Sequence, residues 1–398
     1  MHVKHLTSAL TWVAAAAFLT ACGQKEEAAA PAAAPAPVAA AEPVVKIGHV
    51  APMSGAIAHL GKDNEYGARM AIEELNAAGV IIDGKKVKLE LLAEDDAADP
   101  KQGTAVAQKL ADAKVAGVIG HLNSGTTIPA SKVYSDAGIP QISPSATNPK
   151  YTRQGFKTTF RVVADDVHLG STLGKYAVDT LKAKNVAVID DRTAYGQGVA
   201  DEFSKAAEAA GAKIVAKEFT TDKATDFNAI LTSIKGKKPD VVFFGGMDAV
   251  AGPMLKQMKS LGIKAKFMGG DGACTAEMPK LAGDAIGEEQ VFCAEAGGVE
   301  GEAKVGMDEF RTKFKAKFND DVKLYAPYVY DATKVLVDAM VKANSADPAK
   351  YLPVLAATTD YKGVTGPISF DEKGDIKHGA LTLFTYKGGQ RTQIAVIR

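Results

Sequence analysis

Two short polar stretches carry the best prospects for chemistry in this chain. Asn123-Ser124-Gly125-Thr126-Thr127 follows the apolar run "VAGVIGHL", and Pro144-Ser145-Ala146-Thr147-Asn148-Pro149 follows "IPQIS". Each combines hydroxyls with small residues that let a ligand approach main-chain N–H and C=O groups. Where the first stretch opens a helix, its free N–H groups suit a carboxylate or another anion. Taken singly, either stretch could be no more than a helix cap or a turn. Two of them at the ends of successive strands point to a binding site, because ligands of open α/β sheets lie outside the carboxyl ends of the strands.

Catalytic constellations are harder to find. There is no G-x-x-x-x-G-K-[ST], no G-x-S-x-G, and no G-x-G-x-x-G after the first strand. "GGDGAC" is rich in glycine but lacks the dinucleotide spacing. His49, His59, His121, His168 and His378 are scattered without metal-ligand spacing. No metal and no other cofactor is expected. Asp95-Asp96 are adjacent, so on a strand they point to opposite faces, and they are expected to solvate the strand end. With no catalytic set assembled, the expectation is binding, not catalysis.

The elements that must position these residues alternate along the chain. Strand-like "VVKIGHV" is followed by the helical pattern "DNEYGARMAIEELNAAG", where Tyr66, Met70, Ile72 and Leu75 stand at helical spacing and Gly79 ends the run. "KVKLELLAEDD" reads as a strand, and Asp99-Pro100 as the cap and first residue of a helix. The alternation starts afresh near Asp165 and runs through "NVAVIDD", "AKIVAKEF", "DVVFFGG", "AKFMGG" and "QVFCAEAG". Repeated strand-then-helix order predicts parallel sheets covered on both faces. A long helix around Tyr328 to Ala343 and a β-rich end with a turn at Lys387-Gly388-Gly389 complete the pattern. The chain has 398 residues, 46% hydrophobic and 24% charged, which is globular and more than one core usually supports. Two α/β lobes are expected. Lys+Arg and Asp+Glu both total 47, so no net field draws the chain to nucleic acid.

The first residues have a different character. The apolar segment Leu6 to Leu19 is too short to cross a hydrocarbon core of ~30 Å. It suits a signal-peptide core over residues 1–21. "Leu19-Thr20-Ala21-Cys22" resembles the lipobox of bacterial lipoproteins, which would make Cys22 a lipid anchor. An ordinary secretory signal, leaving a soluble periplasmic protein, is the alternative. Residues 22–43 are an Ala/Pro tract expected to stay disordered as a spacer. Export also places Cys274 and Cys293 in an oxidising compartment, where a pair is more often a disulfide than two thiols. The bond would close a loop of about 18 residues, worth ~3 kcal/mol in the chain-entropy account.

"VKIGHVAPMSG", "GHLNSGTTIPAS", "ISPSATNP", "DDRTAYGQG", "FMGGDG" and "GPISFDEKGD" occur in that order from Val44 to the C-terminus. Together they resemble the leucine/isoleucine/valine-binding proteins, the substrate-binding components of branched-chain amino acid ABC transporters. The resemblance implies the periplasmic binding protein type I fold: two doubly wound α/β lobes with parallel-rich sheets, joined by three hinge strands. Lobe one would be 44–165 plus 296–369, and lobe two 166–295 plus 370–398. It also implies site roles. Ser124 would donate to the ligand carboxylate. Ser145 and Thr147 would hold carboxylate and ammonium through backbone groups and the Thr147 hydroxyl, with Ala146 lining the pocket between them. Tyr195 would press its ring on the ligand, and Asp271 would pair with the ammonium.

Three positions depart from that pattern. Met247 stands where the family has a tyrosine, and Leu60 where it has an aromatic residue. Asp271 is one methylene shorter than the glutamate often found there. Met247 and Leu60 would either line an apolar side-chain pocket or belong to the core. The implied function is capture of a small amino acid, most readily leucine, isoleucine or valine, by a monomer that closes and presents it to a permease in the inner membrane. A different small amino acid or amide is the alternative within this class. A ligand-sensing receptor of the same fold is the alternative outside it, although no helix-turn-helix and no further apolar span is seen.

Overall fold

The computed structural model describes residues 42–397. The expected signal peptide, the lipidated Cys22 and nearly all of the Ala/Pro spacer therefore lie outside the described residues.

Strand β1 (Val44–Ala51) leads through α1 (Ala58–Ala78) and a small hairpin, β2 (Ile81–Ile82) with β3 (Lys85–Lys86), to β4 (Lys88–Asp95). Then come α2 (Pro100–Asp112), β5 (Gly117–Gly120), α3 (Ser124–Asp136), β6 (Gln141–Ser143) and β7 (Thr159–Arg161). The strands form a five-stranded, wholly parallel sheet in the order β4-β1-β5-β6-β7. Local chemistry sets the helix starts as expected. The Asp99 side chain accepts the N–H groups of Lys101 and Gln102 at 2.8 and 3.0 Å, directly ahead of Pro100.

A second series follows: α4 (Asp166–Asp179), β8 (Asn185–Asp190), α5 (Ala194–Ala209), β9 (Lys213–Phe219), α6 (Asn228–Lys237) and β10 (Val241–Gly245). It continues with α7 (Asp248–Ser260), β11 (Lys266–Gly269), α8 (Met278–Ala282) and β12 (Val291–Glu295). The chain then returns to the first sheet through α9 (Glu302–Phe318), α10 (Ala326–Lys342), α11 (Pro348–Ala356) and the hairpin β13 (Tyr361–Gly363) with β14 (Gly366–Ile368). Finally β15 (Leu381–Lys387) and β16 (Gln390–Ile397) join the second sheet, whose order is β16-β15-β12-β11-β10-β8-β9.

The second sheet is parallel from β9 to β12, and its last two strands are antiparallel. For β15 and β16 a tight turn leaves no other choice, since parallel neighbours need a long crossover. Gly388 and Gly389 make that turn at φ +55° and +72°. The central strand β10 is buried along its whole length, as a parallel strand covered on both faces must be. One apolar cluster runs from Ile47, Ile119 and Phe160 of the first sheet to Val188 and Phe243 of the second and to Phe203 on α5.

One expectation is corrected. Asp95 ends β4 half-buried, but Asp96 does not solvate the strand end. It is fully buried, and its Oδ2 lies 2.9 Å from His121 Nδ1, whose Nε2 meets the Tyr134 hydroxyl at 3.1 Å. A carboxylate tolerates burial when hydrogen bonds replace its water. Its partner, 25 residues along the chain, is brought close only when β5 is laid beside β1. Cys274 and Cys293 are joined in a disulfide with Cα atoms 5.3 Å apart.

Candidate functional site

Strand order fixes where a ligand can enter. From β1 the chain moves outward to β4 and then crosses to β5 on the other side of β1, so the loops after β1 and β5 diverge. In the second sheet β8 plays the same part between β9 and β10. Such reversals open crevices at the carboxyl ends of the strands. Leu60 and Ser124 follow β1 and β5, while Tyr195 and Met247 follow β8 and β10. Residues 145–147 follow β6, and Asp271 follows β11.

On the first-sheet side, α3 begins at Ser124, and its N-cap Asn123 makes no side-chain cap. The Ser124 hydroxyl accepts the Asn148 N–H at 3.2 Å, leaving its own proton to donate. Ser145 is less available, because its hydroxyl donates to the Leu122 carbonyl at 3.0 Å. The 145–148 turn is fastened from below. The fully buried Arg161 donates to the carbonyls of Ala146 (2.9 Å) and Asn148 (3.0 Å), and to Thr152 and Asp375. Asp375, from the "FDEKGD" stretch, takes two guanidinium N–H groups on one oxygen, at 2.9 and 2.6 Å. Thr147 is fully buried with its hydroxyl unpaired.

On the second-sheet side, Thr193 caps α5, its hydroxyl accepting the Gly196 N–H at 2.9 Å, and this sets Tyr195 at the helix mouth. The Tyr195 hydroxyl accepts the Gly272 N–H at 2.9 Å. A Cβ on Gly272 would lie 2.6 Å from the Met247 sulfur and 2.9 Å from the Tyr195 ring, so glycine is needed for this close packing. Asp271 is fully buried; its Oδ2 accepts the Tyr325 hydroxyl at 2.8 Å and its Oδ1 has no partner. Burial pushes Asp271 up to about 6, with the Tyr195 and Tyr325 hydroxyls and backbone N–H groups pulling the other way. Leu60, Tyr195 and Tyr325 share one apolar cluster, with the half-buried Met247 packed against it.

Two residues of this cleft escape sequence reasoning. Tyr325 arrives from the segment ahead of α10, placed there by Asp63, which accepts the N–H groups of Lys323, Leu324, Tyr325 and Ala326 at 2.7–3.1 Å. Asp166 opens α4 and looks in sequence like a second capping residue beside Asp165. Asp165 alone does the capping, accepting the His168 N–H at 3.0 Å. Asp166 is fully buried with both oxygens unpaired, and its N–H donates to the Thr147 carbonyl at 2.8 Å. Burial raises its pKa well above the usual carboxylate range. The Thr147 hydroxyl opposes that shift from close by, short of hydrogen-bond geometry, and the charge of Asp271 adds to it.

The two sides meet. Asn148 donates from its side chain to the Ala194 carbonyl at 2.7 Å, Lys323 pairs with Glu277 at 2.9 Å, and Tyr325 reaches Asp271 as described. Ser124, Thr147, Asp166, Asp271 and Tyr195 are thereby linked through direct contacts or one shared neighbour.

A family model described as periplasmic binding protein matches residues 44–390. The chain belongs to the periplasmic binding protein family. Among curated members of this family, the Leu/Ile/Val-binding protein homolog 1 of Brucella abortus is 38% identical over 346 residues, covering 87% of this chain and 91% of that protein. The leucine-, isoleucine-, valine-, threonine-, and alanine-binding protein of Pseudomonas aeruginosa is 36% identical, covering 88% and 92%. The structure is similar to the branched-chain amino acid transporter substrate binding protein LivJ of Streptococcus pneumoniae, solved in complex with isoleucine. The TM-score is 0.79 at 28% identity, covering 89% of this chain and 99% of that one. Among the described residues no group of metal-ligating side chains is found, and no helix is long and apolar enough to cross a membrane.

Proposed function

We propose that this periplasmic binding protein is the extracytoplasmic substrate-binding component of an ABC transporter, taking up a branched-chain amino acid without turnover. The observation that carries this is the pairing of opposite charge needs in one buried cleft. An uncapped helix N-terminus with the Ser124 hydroxyl suits a carboxylate. The unpaired oxygens of Asp271 and Asp166, with the Thr147 hydroxyl, suit an ammonium. A zwitterion that leaves water needs both charges met at once. Leu60, Met247 and the rings of Tyr195 and Tyr325 would hold an apolar side chain, and Ser145 and Ala146 would line the pocket through their backbone.

Closure of the two lobes, 44–165 plus 296–369 and 166–295 plus 370–398, would bury the ligand and present the closed form to an inner-membrane permease. The deciding measurement is a thermal-shift screen of the purified protein against the natural amino acids. A ligand bound by the folded state alone raises stability by about 2.7 kcal/mol at a hundredfold excess over Kd. Leucine, isoleucine and valine are expected to give the largest shifts. No shift with any of the three would overturn the assignment.

The protein is proposed to act as a monomer at the periplasmic side of a membrane, held by lipid on Cys22. Cys22→Ser is then expected to release it from membranes with amino-acid binding intact; retention in the membrane fraction would refute the anchor.

A further inference from the structure

His59 and Asp248 have no part in the site described so far. His59 is the second residue of α1 and Asp248 the first of α7, helices that belong to opposite sheets. The imidazole Nε2 and the carboxylate Oδ2 are 2.8 Å apart. Asp248 is fully buried and also accepts the Thr275 hydroxyl at 2.5 Å, whereas His59 keeps 22% of its side chain exposed. Each is the chain neighbour of a pocket residue, His59 of Leu60 and Asp248 of Met247. The pair therefore ties the first turns of two helices together beside the residues that would hold the ligand side chain.

We propose that His59 and Asp248 are positioning residues that form a protonation-dependent latch across the cleft, coupling amino-acid capture to uptake of a proton on His59. The latch rests on the assignment of the cleft as an amino-acid site.

The charged groups facing the imidazole are Asp248 from α7, Glu277 from the segment ahead of α8, and Lys323 from the segment ahead of α10. Lys62 and Asp63 follow on α1 itself. Glu277 and Lys323 pair with each other at 2.9 Å, and are tied further to Lys280 (3.6 Å) and Asp320 (2.8 Å). Burial of the ring would depress its pKa. The hydrogen bond and charge of Asp248, joined by Glu277, outweigh burial and the opposing Lys323, so the imidazole stands above 6.5.

When the two sides separate, Asp248 leaves and the imidazole returns toward its free value of about 6.5. The closed form thus holds the proton more tightly. The latch contributes fully below the open-form pKa and is lost as pH rises through the closed-form value. Asp166 and Asp271 act with the opposite sign. An ammonium placed beside them expels their protons, so through them affinity rises with pH. The direction of the pH dependence therefore separates the latch from the carboxylates.

Titration calorimetry with leucine, between about pH 6 and about pH 8.5 and in two buffers of different ionisation enthalpy, reads affinity and proton exchange together. Relative to His59→Gln, the wild-type protein is expected to lose at least about threefold more affinity across that range and to take up a fraction of a proton more per leucine at neutral pH. His59→Gln keeps a hydrogen-bond donor that does not titrate, and Asp248→Asn removes the counter-charge. Both are expected to lose that added fall in affinity and the added proton uptake. Proton exchange on leucine binding that is the same in the wild type and in His59→Gln would overturn the latch and leave the site standing. So would an unaltered pH profile in His59→Gln. Failure of the wild type to bind leucine at every pH would overturn both.

Discussion

At the scale of single residues, the cleft places side chains where folding alone would not put them. Asp271 is fully buried and pushed up to about 6 from its ordinary 3.8. A carboxylate raised in this way favours the folded state below the unfolded pKa, and that advantage is lost as pH rises through 6. Near pH 7.5 the charged Asp271 is therefore a burden on the ligand-free protein, and Asp271→Asn is expected to raise its Tm. The gain, about 1–3 kcal/mol, should vanish below about pH 4. The same variant should weaken leucine binding by at least ~2 kcal/mol, because the ammonium loses its counter-charge. Ser124→Ala should weaken it comparably at the carboxylate end without raising stability. Calorimetry with melting curves checks both, and a Tm that falls in Asp271→Asn would show that the carboxylate is structural. Asp166 was not foreseen, because its sequence context is that of a helix cap; only its burial without a partner distinguishes it from Asp165.

At the scale of elements, the site is held by fasteners that link distant segments. The disulfide ties Cys274, at the end of the turn that carries Asp271, to Cys293 on β12. Replacing both cysteines by alanine is expected to cost about 3 kcal/mol of stability, read as a lowered urea midpoint, with a weaker effect on leucine affinity. An unchanged midpoint would contradict that role. Arg161 does the equivalent for the 145–148 turn, and its five donors are shared among Asp375, Thr152 and two carbonyls. The strand-and-helix alternation and the pairing of two cysteines were legible along the chain, because period and composition are local properties. Helices α9 and α11 and strand β13 escape that reading, although Met307, Phe310, Phe314 and Phe318 recur at helical spacing among the charged residues of α9.

For the whole molecule, the question is what lets the two sheets' loops meet. Gly198 on α5 faces both sides at once. A Cβ there would lie 2.5 Å from Asp166 Oδ2 and 2.6 Å from Asn148 Nδ2. Gly198→Ala is expected to wedge the cleft, lowering leucine affinity at least about tenfold while changing the Tm of the ligand-free protein much less. Equal losses in affinity and stability would mean that the contact is needed for folding and not for closure. The hydrogen bond from Asn148 to the Ala194 carbonyl, the Glu277–Lys323 pair and the His59–Asp248 pair also join elements of one sheet to elements of the other.

By itself the sequence determined the α/β class, the order of elements and the polar stretches at Ser124 and at 145–147, because these follow from periodicity and from residues adjacent in the chain. The motifs added Tyr195 and Asp271 to that set through resemblance. Only the tertiary structure decided that Asp96 is buried against His121, that Asp166 and Tyr325 enter the cleft, and that His59 faces Asp248. The Asp96–His121 and His59–Asp248 contacts join residues 25 and 189 positions apart, and Asp63 places Tyr325 across 262. Such distances are set by strand order and by the return of α10 to the first sheet, which no local pattern records.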